Sequence, residues 1–205
     1  MLEWYRTGAN YHKIIGDAEN LMIFLAEQMG FGTKLHYQGK QIDLSLPWPR
    51  VSVRKAYTDW AGWDPFVDFD GLRFDDDLVV KIIPHFPVNR PIVIMDYPRE
   101  CAALARLKPG TSNSAERAEV FIAGLEIANA YSELTDPVEQ EKRLKSEMAE
   151  MLKTCKPAVW PDKFIESVKN LPECTGVALG LDRLVMLLTD SGQIDEVIAF
   201  PSDLL

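Results

Sequence analysis

Cysteine is scarce in this chain. Cys101, Cys155 and Cys174 are widely spaced and odd in number, which supports neither a disulfide framework nor a metal-ligand cluster and predicts reduced, partly buried thiols. Basic residues are outnumbered as well: 22 Lys and Arg against 31 Asp and Glu leave a formal charge of −9. This balance argues against a broad non-specific nucleic-acid surface, which needs clustered Lys and Arg; it does not exclude a small local site for an anionic ligand. No apolar run approaches the roughly 20 residues of a membrane span. The first residues include Glu3 and Arg6 and lack the apolar stretch of a secretory signal. A cytoplasmic protein with no membrane partner is therefore expected. Internal repeats and low-complexity tracts are also missing. What is present is ordinary globular material, 47% hydrophobic and 26% charged over 205 residues, enough to bury one core.

The pattern of residues predicts strands separated by helices. MLEWYR, residues 1–6, reads as a strand entered abruptly, as though a fold begun upstream continues here. Asn10–Met29 reads as an amphipathic helix, with Ile14, Ile15, Ala18, Leu21, Met22 and Leu25 on its period and Gly30 as its stop. Lys34–Tyr37 and Gln41–Leu44 suggest a hairpin around Gln38-Gly39-Lys40. Ser52–Ala61 and Asp75–Ile83 look like short helices, the second opening on an Asp75-Asp76-Asp77 run suited to a helix N-terminus. Ile92–Met95 is a short strand ended by Tyr97-Pro98, and 108–113 is a loop. Arg117–Ala123 and Leu125–Leu134 form two strands around Ala123-Gly124. Asp136–Thr154 is a charged helix capped by Asp136, and Pro161–Leu171 is another. Gly176–Leu188 is an apolar strand, a sharp turn and an apolar helix. The sum is an α+β fold on a largely antiparallel sheet.

Four constellations carry chemistry. In a strand, Glu3 and Tyr5 share a face and Leu2 and Trp4 take the other; a carboxylate beside a phenol grips an ammonium group, or the pair is the solvated face of an edge strand. Glu119 and Glu126 flank a tight turn in an otherwise apolar hairpin. Buried acids need a partner, and a divalent cation with substrate phosphates is one; two solvent-facing acids are the other reading. Asn129, Tyr131 and Glu133 share one strand face and suit a zwitterion with a cationic tail. Because Glu126 and Asn129 differ in parity, the strand must bulge or twist between them if both face one cleft. Finally, in GVALGLDRLVM (176–186), Gly180 lets a flat ligand approach the backbone, and Arg183 at a helix start can stack on a base and offset phosphate charge.

These segments resemble a known family. GVALGLDRLVMLL looks like motif 3 of class II aminoacyl-tRNA synthetases, MLEWYR resembles the second strand of their motif 2, and AERAEVFIAGLEIANAYSELTDPVEQ is similar to the lysine- and metal-binding segment of the lysyl branch. The resemblance covers both ends and all of 91–205; residues 45–90 are poorly anchored. It implies that Glu3, Tyr5 and Glu133 bind the substrate ammonium and that Asn129 contacts its carboxylate. It also implies that Tyr131, where the family often has Phe, lines the aliphatic stem. Glu119 and Glu126 would hold Mg²⁺ on the phosphates of ATP. Arg183 would stack on adenine, with Gly180 giving clearance, and Arg183 and Glu126 would serve the chemistry of adenylation.

Within the branch two subfamilies compete, lysyl-tRNA synthetases and the elongation factor P lysylation ligases, which attach a β-lysine-type residue to a protein lysine. LEWYR, PECTGVALG and Ala178, where lysyl-tRNA synthetases usually carry glycine, favour the latter subfamily, as does the acidic charge. The expected partners are thus lysine or β-lysine and elongation factor P. The alternatives are a lysyl-tRNA synthetase fragment acting on tRNA, or a binding module without chemistry. Against the family pattern, residues 1–205 form a catalytic domain lacking motif 1, which supplies the family's homodimer interface, and the first half of motif 2 with its α-phosphate arginine. Weak or absent adenylation by this chain alone is expected on that ground.

Overall fold

The computed structural model describes residues 1–111, 113–153 and 159–201; Cys155 and the expected helix end at Thr154 lie outside them. The chain runs β1 (Leu2–Thr7), α1 (Tyr11–Gln28), β2 (Lys34–Tyr37), β3 (Lys40–Asp43), β4 (Arg50–Ser52), α2 (Val53–Ala56), α3 (Gly71–Asp77), β5 (Ile92–Pro98), β6 (Ser114–Ile122), β7 (Leu125–Ser132), α4 (Pro137–Lys153), α5 (Asp162–Val168), β8 (Cys174–Leu179) and α6 (Leu181–Thr189). One six-stranded sheet has the order β1-β8-β7-β6-β5-β4, antiparallel except for the β4–β5 pair; β2 and β3 form a separate hairpin. The fold is α+β, as the pattern of residues predicts.

Each sheet face has its own core. The amphipathic period of α1 buries Ile14, Ile15, Met22 and Ala26 against Val93, Val120, Ala128, Ala130, Val177 and Leu179, and Leu184 and Leu187 of α6 join them. Each fully buried aliphatic side chain of this kind contributes about 1.5–3 kcal/mol. The opposite face is covered only toward β5, where Ile92, Ile94, Tyr97 and Phe121 meet Val53, Tyr57, Phe74, Ile82 and Phe86. Toward β1 that face carries polar side chains and stays open.

Two-residue turns close the hairpins at positive φ. Gln38 and Gly39 lie at 49° and 72°, Ala123 and Gly124 at 52° and 82°, which matches the strand twist.

The poorly anchored 45–90 region is a helical cap. α2 runs into a π-helical turn at Tyr57–Ala61, and α3 into another at Leu78–Ile82. Trp48, Trp60 and Trp63 serve packing, as expected; Trp48 is buried and donates to Leu44 O at 2.9 Å. Two expectations need correction. The Asp75-Asp76-Asp77 run closes α3 instead of opening it: Asp70 is the cap, accepting from Arg73 N at 3.1 Å. Asp77 is compensated by Lys81 at 2.7 Å and the indole of Trp63 at 2.8 Å, not by a helix dipole. The strand begun at Ile92 also does not stop before Tyr97-Pro98. Its register shifts at Asp96, whose φ is 65°, and pairing resumes with Tyr97 opposite Ala115. The bulge survives because Asp96 accepts from the Tyr11 hydroxyl at 2.6 Å and pairs with Lys108 at 2.9 Å.

Candidate active site

The open half of the sheet presents two rows of side chains across four strands. Glu3, Ala178, Asn129 and Glu119 are successive register partners, and so are Tyr5, Gly176, Tyr131 and Arg117. Directly opposed residues in antiparallel strands share a face, so all eight positions look the same way. Glu133 follows the end of β7 and is anchored by its own N–H on Cys174 O at 3.0 Å. The parity conflict between Glu126 and Asn129 is resolved by a bulge. Val120 pairs with Ala128 but Phe121 pairs with Glu126, leaving Ile127 as the extra residue. Ile127 and Ala128 both enter the α1-side core, and Gly180 N–H donates to Ile127 O at 2.9 Å. Glu126 thereby turns to the same face as Asn129.

At one end of the rows is an acidic, aromatic pocket. Glu133 is 8% exposed, and its Oε1 finds no hydrogen-bond partner among the described residues. Burial pushes its pKa up to about 7. Burial also raises the Tyr5 hydroxyl, with Glu133 and Glu3 adding to the shift. Tyr131 is pushed up to about 12 by burial, then by Glu133 and Tyr5. Every charge here penalises its neighbours, and a cation placed among them relieves all three. Gly176 forms the floor. A Cβ there would stand 2.5 Å from Glu133 Oε1 and 2.8 Å from Tyr5 Cε1.

Asn129 occupies the middle of the first row and also lines a cleft of about 450 Å³ with Glu126, Ala178, Gly180, Asp182 and Arg183. Arg183, in the first turn of α6, donates to Glu126 O at 2.8 Å and lies 3.5 Å from the Glu126 carboxylate. Gly180 has an ordinary backbone conformation, and a Cβ there would meet nothing closer than 3.6 Å. The protein alone therefore leaves room for alanine at 180.

Glu119 belongs mainly to a second cleft, of about 670 Å³, shared with Phe74, Tyr97, Cys101, Arg117 and Arg143. It is 6% exposed and pairs with Arg117 at 2.7 Å. Burial raises its pKa, Arg117 opposes that, and the charge of Glu126 adds to it. Of the expected pair of acids, then, Glu119 is buried with a protein cation and Glu126 is half-exposed. Among the described residues no group of three or more His, Cys, Asp or Glu could hold a metal. Each of the two carboxylates faces an arginine of the protein, Glu119 with Arg117 at 2.7 Å and Glu126 with Arg183 at 3.5 Å. Cys101, in the same cleft, has its thiol pushed up to about 12 by burial, which disfavours the thiolate.

Two members of these rows, Arg117 and Gly176, had no role assigned from sequence. Period two from Glu119 and from Ala178 was the available signal.

An antiparallel floor with an acidic, aromatic cluster at one end and a strand–glycine–helix turn bearing an arginine at the other is the arrangement of a class II synthetase-type fold. The chain belongs to the family described as tRNA synthetases class II (D, K and N), whose profile matches residues 1–204. Within it the chain is similar to lysine–tRNA ligases. It is 34% identical to that of Moorella thermoacetica over 98% of this chain and 46% of that protein. The corresponding figures are 34%, 98% and 45% for Chloroflexus aurantiacus, and 31%, 98% and 44% for Clostridium novyi. The chain thus spans less than half the length of these relatives. Among the described residues no helix is long and apolar enough to cross a membrane.

Proposed function

We propose that this chain carries the amino-acid-activating site of a lysine-specific ligase, joining lysine to the α-phosphate of ATP. The observation that carries the reading is the unpartnered, buried Oε1 of Glu133 among Glu3, Tyr5 and Tyr131. That pocket demands a cation, and it lies along one sheet face from a cleft suited to a nucleotide. The side-chain ammonium of lysine enters the pocket, Tyr131 flanks the methylene stem, and Asn129 donates to the carboxylate. Adenine lies on Arg183 over Gly180. The lysine carboxylate oxygen attacks the α-phosphorus in line, an acyl–phosphate bond forms, and pyrophosphate leaves with the bond electrons. Positioning and charge neutralisation do the work. Glu119 and Glu126 are the residues that would hold Mg²⁺, which supplies positive charge at the phosphates.

The acceptor of the activated lysine is tRNA on the better-supported reading, since the relatives are lysine–tRNA ligases. The protein-lysine acceptor, elongation factor P, rests on Ala178 and the acidic charge; Ala178 stands in the row beside Asn129, where a methyl group trims the space left for the amino acid. Amino-acid-dependent ATP–pyrophosphate exchange separates the readings. Preferential stimulation by α-lysine supports the tRNA ligase, preference for β-lysine supports the protein ligase, and a folded chain that binds neither lysine overturns the proposal.

The nucleotide end has its own test. Arg183→Ala abolishes ATP binding measured by calorimetry. Gly180→Ala weakens it by about tenfold, one methyl group being worth 1–3 kcal/mol in a close-fitting pocket, while the melting temperature stays unchanged. Unaltered ATP affinity in either variant removes the assigned contact.

A further inference from the structure

We infer that Arg117 is a positioning residue that sets the polarity of the Asn129 amide, so that Asn129 offers hydrogen-bond donors and not its oxygen to the substrate carboxylate. This rests on the lysine-binding reading above.

The Arg117 guanidinium is held by three hydrogen bonds within the protein. Nη2 donates to Glu119 Oε1 at 2.7 Å, Nη1 to Cys101 O at 2.7 Å, and Nε to Asn129 Oδ1 at 3.3 Å. Its plane lies over the Tyr97 ring, 4.7 Å from the centroid. Four elements of structure therefore hold it in one orientation: β6, β7, the end of β5 and the short 3₁₀ turn at Arg99–Cys101. A guanidinium has five N–H donors and no acceptor. The Asn129 atom that faces it must be the amide oxygen, because the reversed amide would oppose N–H to N–H. With Oδ1 turned to Arg117, Nδ2 is left for the cleft that Asn129 lines, and its N–H groups point to where a carboxylate lies between the Glu133 pocket and Arg183. An asparagine free to flip offers its N–H groups in only about half of the unliganded population, and carboxylate affinity falls by that fraction, about twofold.

A lysine at 117 keeps the charge beside Glu119, but its three N–H donors radiate from one atom on a flexible stem and cannot reproduce the planar fork that reaches Glu119, Asn129 and Cys101 O together. Arg117→Lys is therefore the variant that keeps the fold while releasing the amide. Arg117→Met releases it fully and leaves Glu119 buried without its cation.

The test compares lysine with cadaverine, its decarboxylated analogue, by calorimetric titration of the full chain. The wild type is expected to bind lysine about 10- to 100-fold tighter than cadaverine, the range for a hydrogen bond to a charged group. In Arg117→Lys and Arg117→Met, cadaverine affinity is expected to stay at the wild-type value, which reports an intact ammonium pocket, while lysine affinity falls by about twofold or more. A purely structural role would weaken both ligands together, and that result overturns the inference. Undiminished preference for lysine in Arg117→Lys overturns it as well. A wild type that binds both ligands equally instead removes the carboxylate contact assigned to Asn129, and with it the lysine reading of the site.

Discussion

Lysine affinity is expected to fall about tenfold for each pH unit below pH 7 and to level off above it, and Glu133→Gln is expected to abolish both the affinity and its pH dependence. Glu133 is shifted from an ordinary 4.5 to about 7 by burial alone. An incoming ammonium needs the ionised carboxylate, so below the shifted pKa each unit of pH costs a factor of ten in the competent population. The same shift acts on the unliganded protein. Between pH 4.5 and 7 the folded chain holds a proton that the unfolded chain has released. Stability relative to the unfolded state is therefore highest at the acid end of this window and is lost as pH rises through the folded pKa. Glu133→Gln removes that slope and is expected to be about 1–2 kcal/mol more stable than the wild type at pH 8, where the wild type buries an unpaired charge. Titrations at pH 6, 7 and 8 and urea unfolding at pH 5 and 8 measure both effects. A pH-independent lysine affinity across that range would falsify the assignment of Glu133 to the ammonium.

Gly176→Ala is the second large effect. Position 176 has no positive φ to protect, so the backbone accepts alanine and the cost is steric. The new methyl group would lie 2.5 Å from Glu133 Oε1 and 2.8 and 3.1 Å from two carbons of the Tyr5 ring. Tyr5 is exposed and can swing outward, whereas Glu133 is enclosed and must be displaced. The expected outcome is a loss of about 1–3 kcal/mol of stability together with a lysine affinity reduced by about 100-fold or more, two of the three ammonium partners having moved. Gly180→Ala, whose new methyl group would make only ordinary contacts at 3.6 and 3.7 Å, should leave stability unchanged, so the two glycines separate a steric requirement of the protein from one of the proposed ligand. Full lysine affinity in Gly176→Ala would show that Tyr5 and Glu133 do not form one pocket.

Much of this site was legible before any coordinates, because strand periodicity is short-range. Glu3 and Tyr5 share a face by alternation, as do Asn129, Tyr131 and Glu133, and the structure places both sets on one side of the sheet. The odd spacing from Glu126 to Asn129 required a bulge if both face the same cleft, and the bulge is there at Ile127. The Asp75–Asp77 run misled because a charge run gives no direction along a helix: Asp70, one residue ahead of α3, holds the cap. The end of β5 misled because Tyr97-Pro98 reads as a stop, yet the bulge at Asp96 is held from outside the strand by Tyr11 and Lys108.

The sequence by itself therefore determined the class of fold, most of its elements though not β4, and the face that Glu3, Tyr5, Asn129 and Tyr131 take within their own strands. These depend on hydrophobic period and on alternation, which neighbouring residues settle among themselves. Tertiary structure alone decided which strands lie side by side, and so everything that depends on distance across the sheet. That Glu119 takes its cation from Arg117 while Glu126 takes Arg183, that Glu133 is left without a partner, and that Gly176 is the floor on which Tyr5 and Glu133 meet are all outcomes of register. Pairing of β1, β8, β7 and β6 brings residues more than a hundred positions apart into contact, and no local pattern encodes which of several acids will be left over when the partners have been shared out.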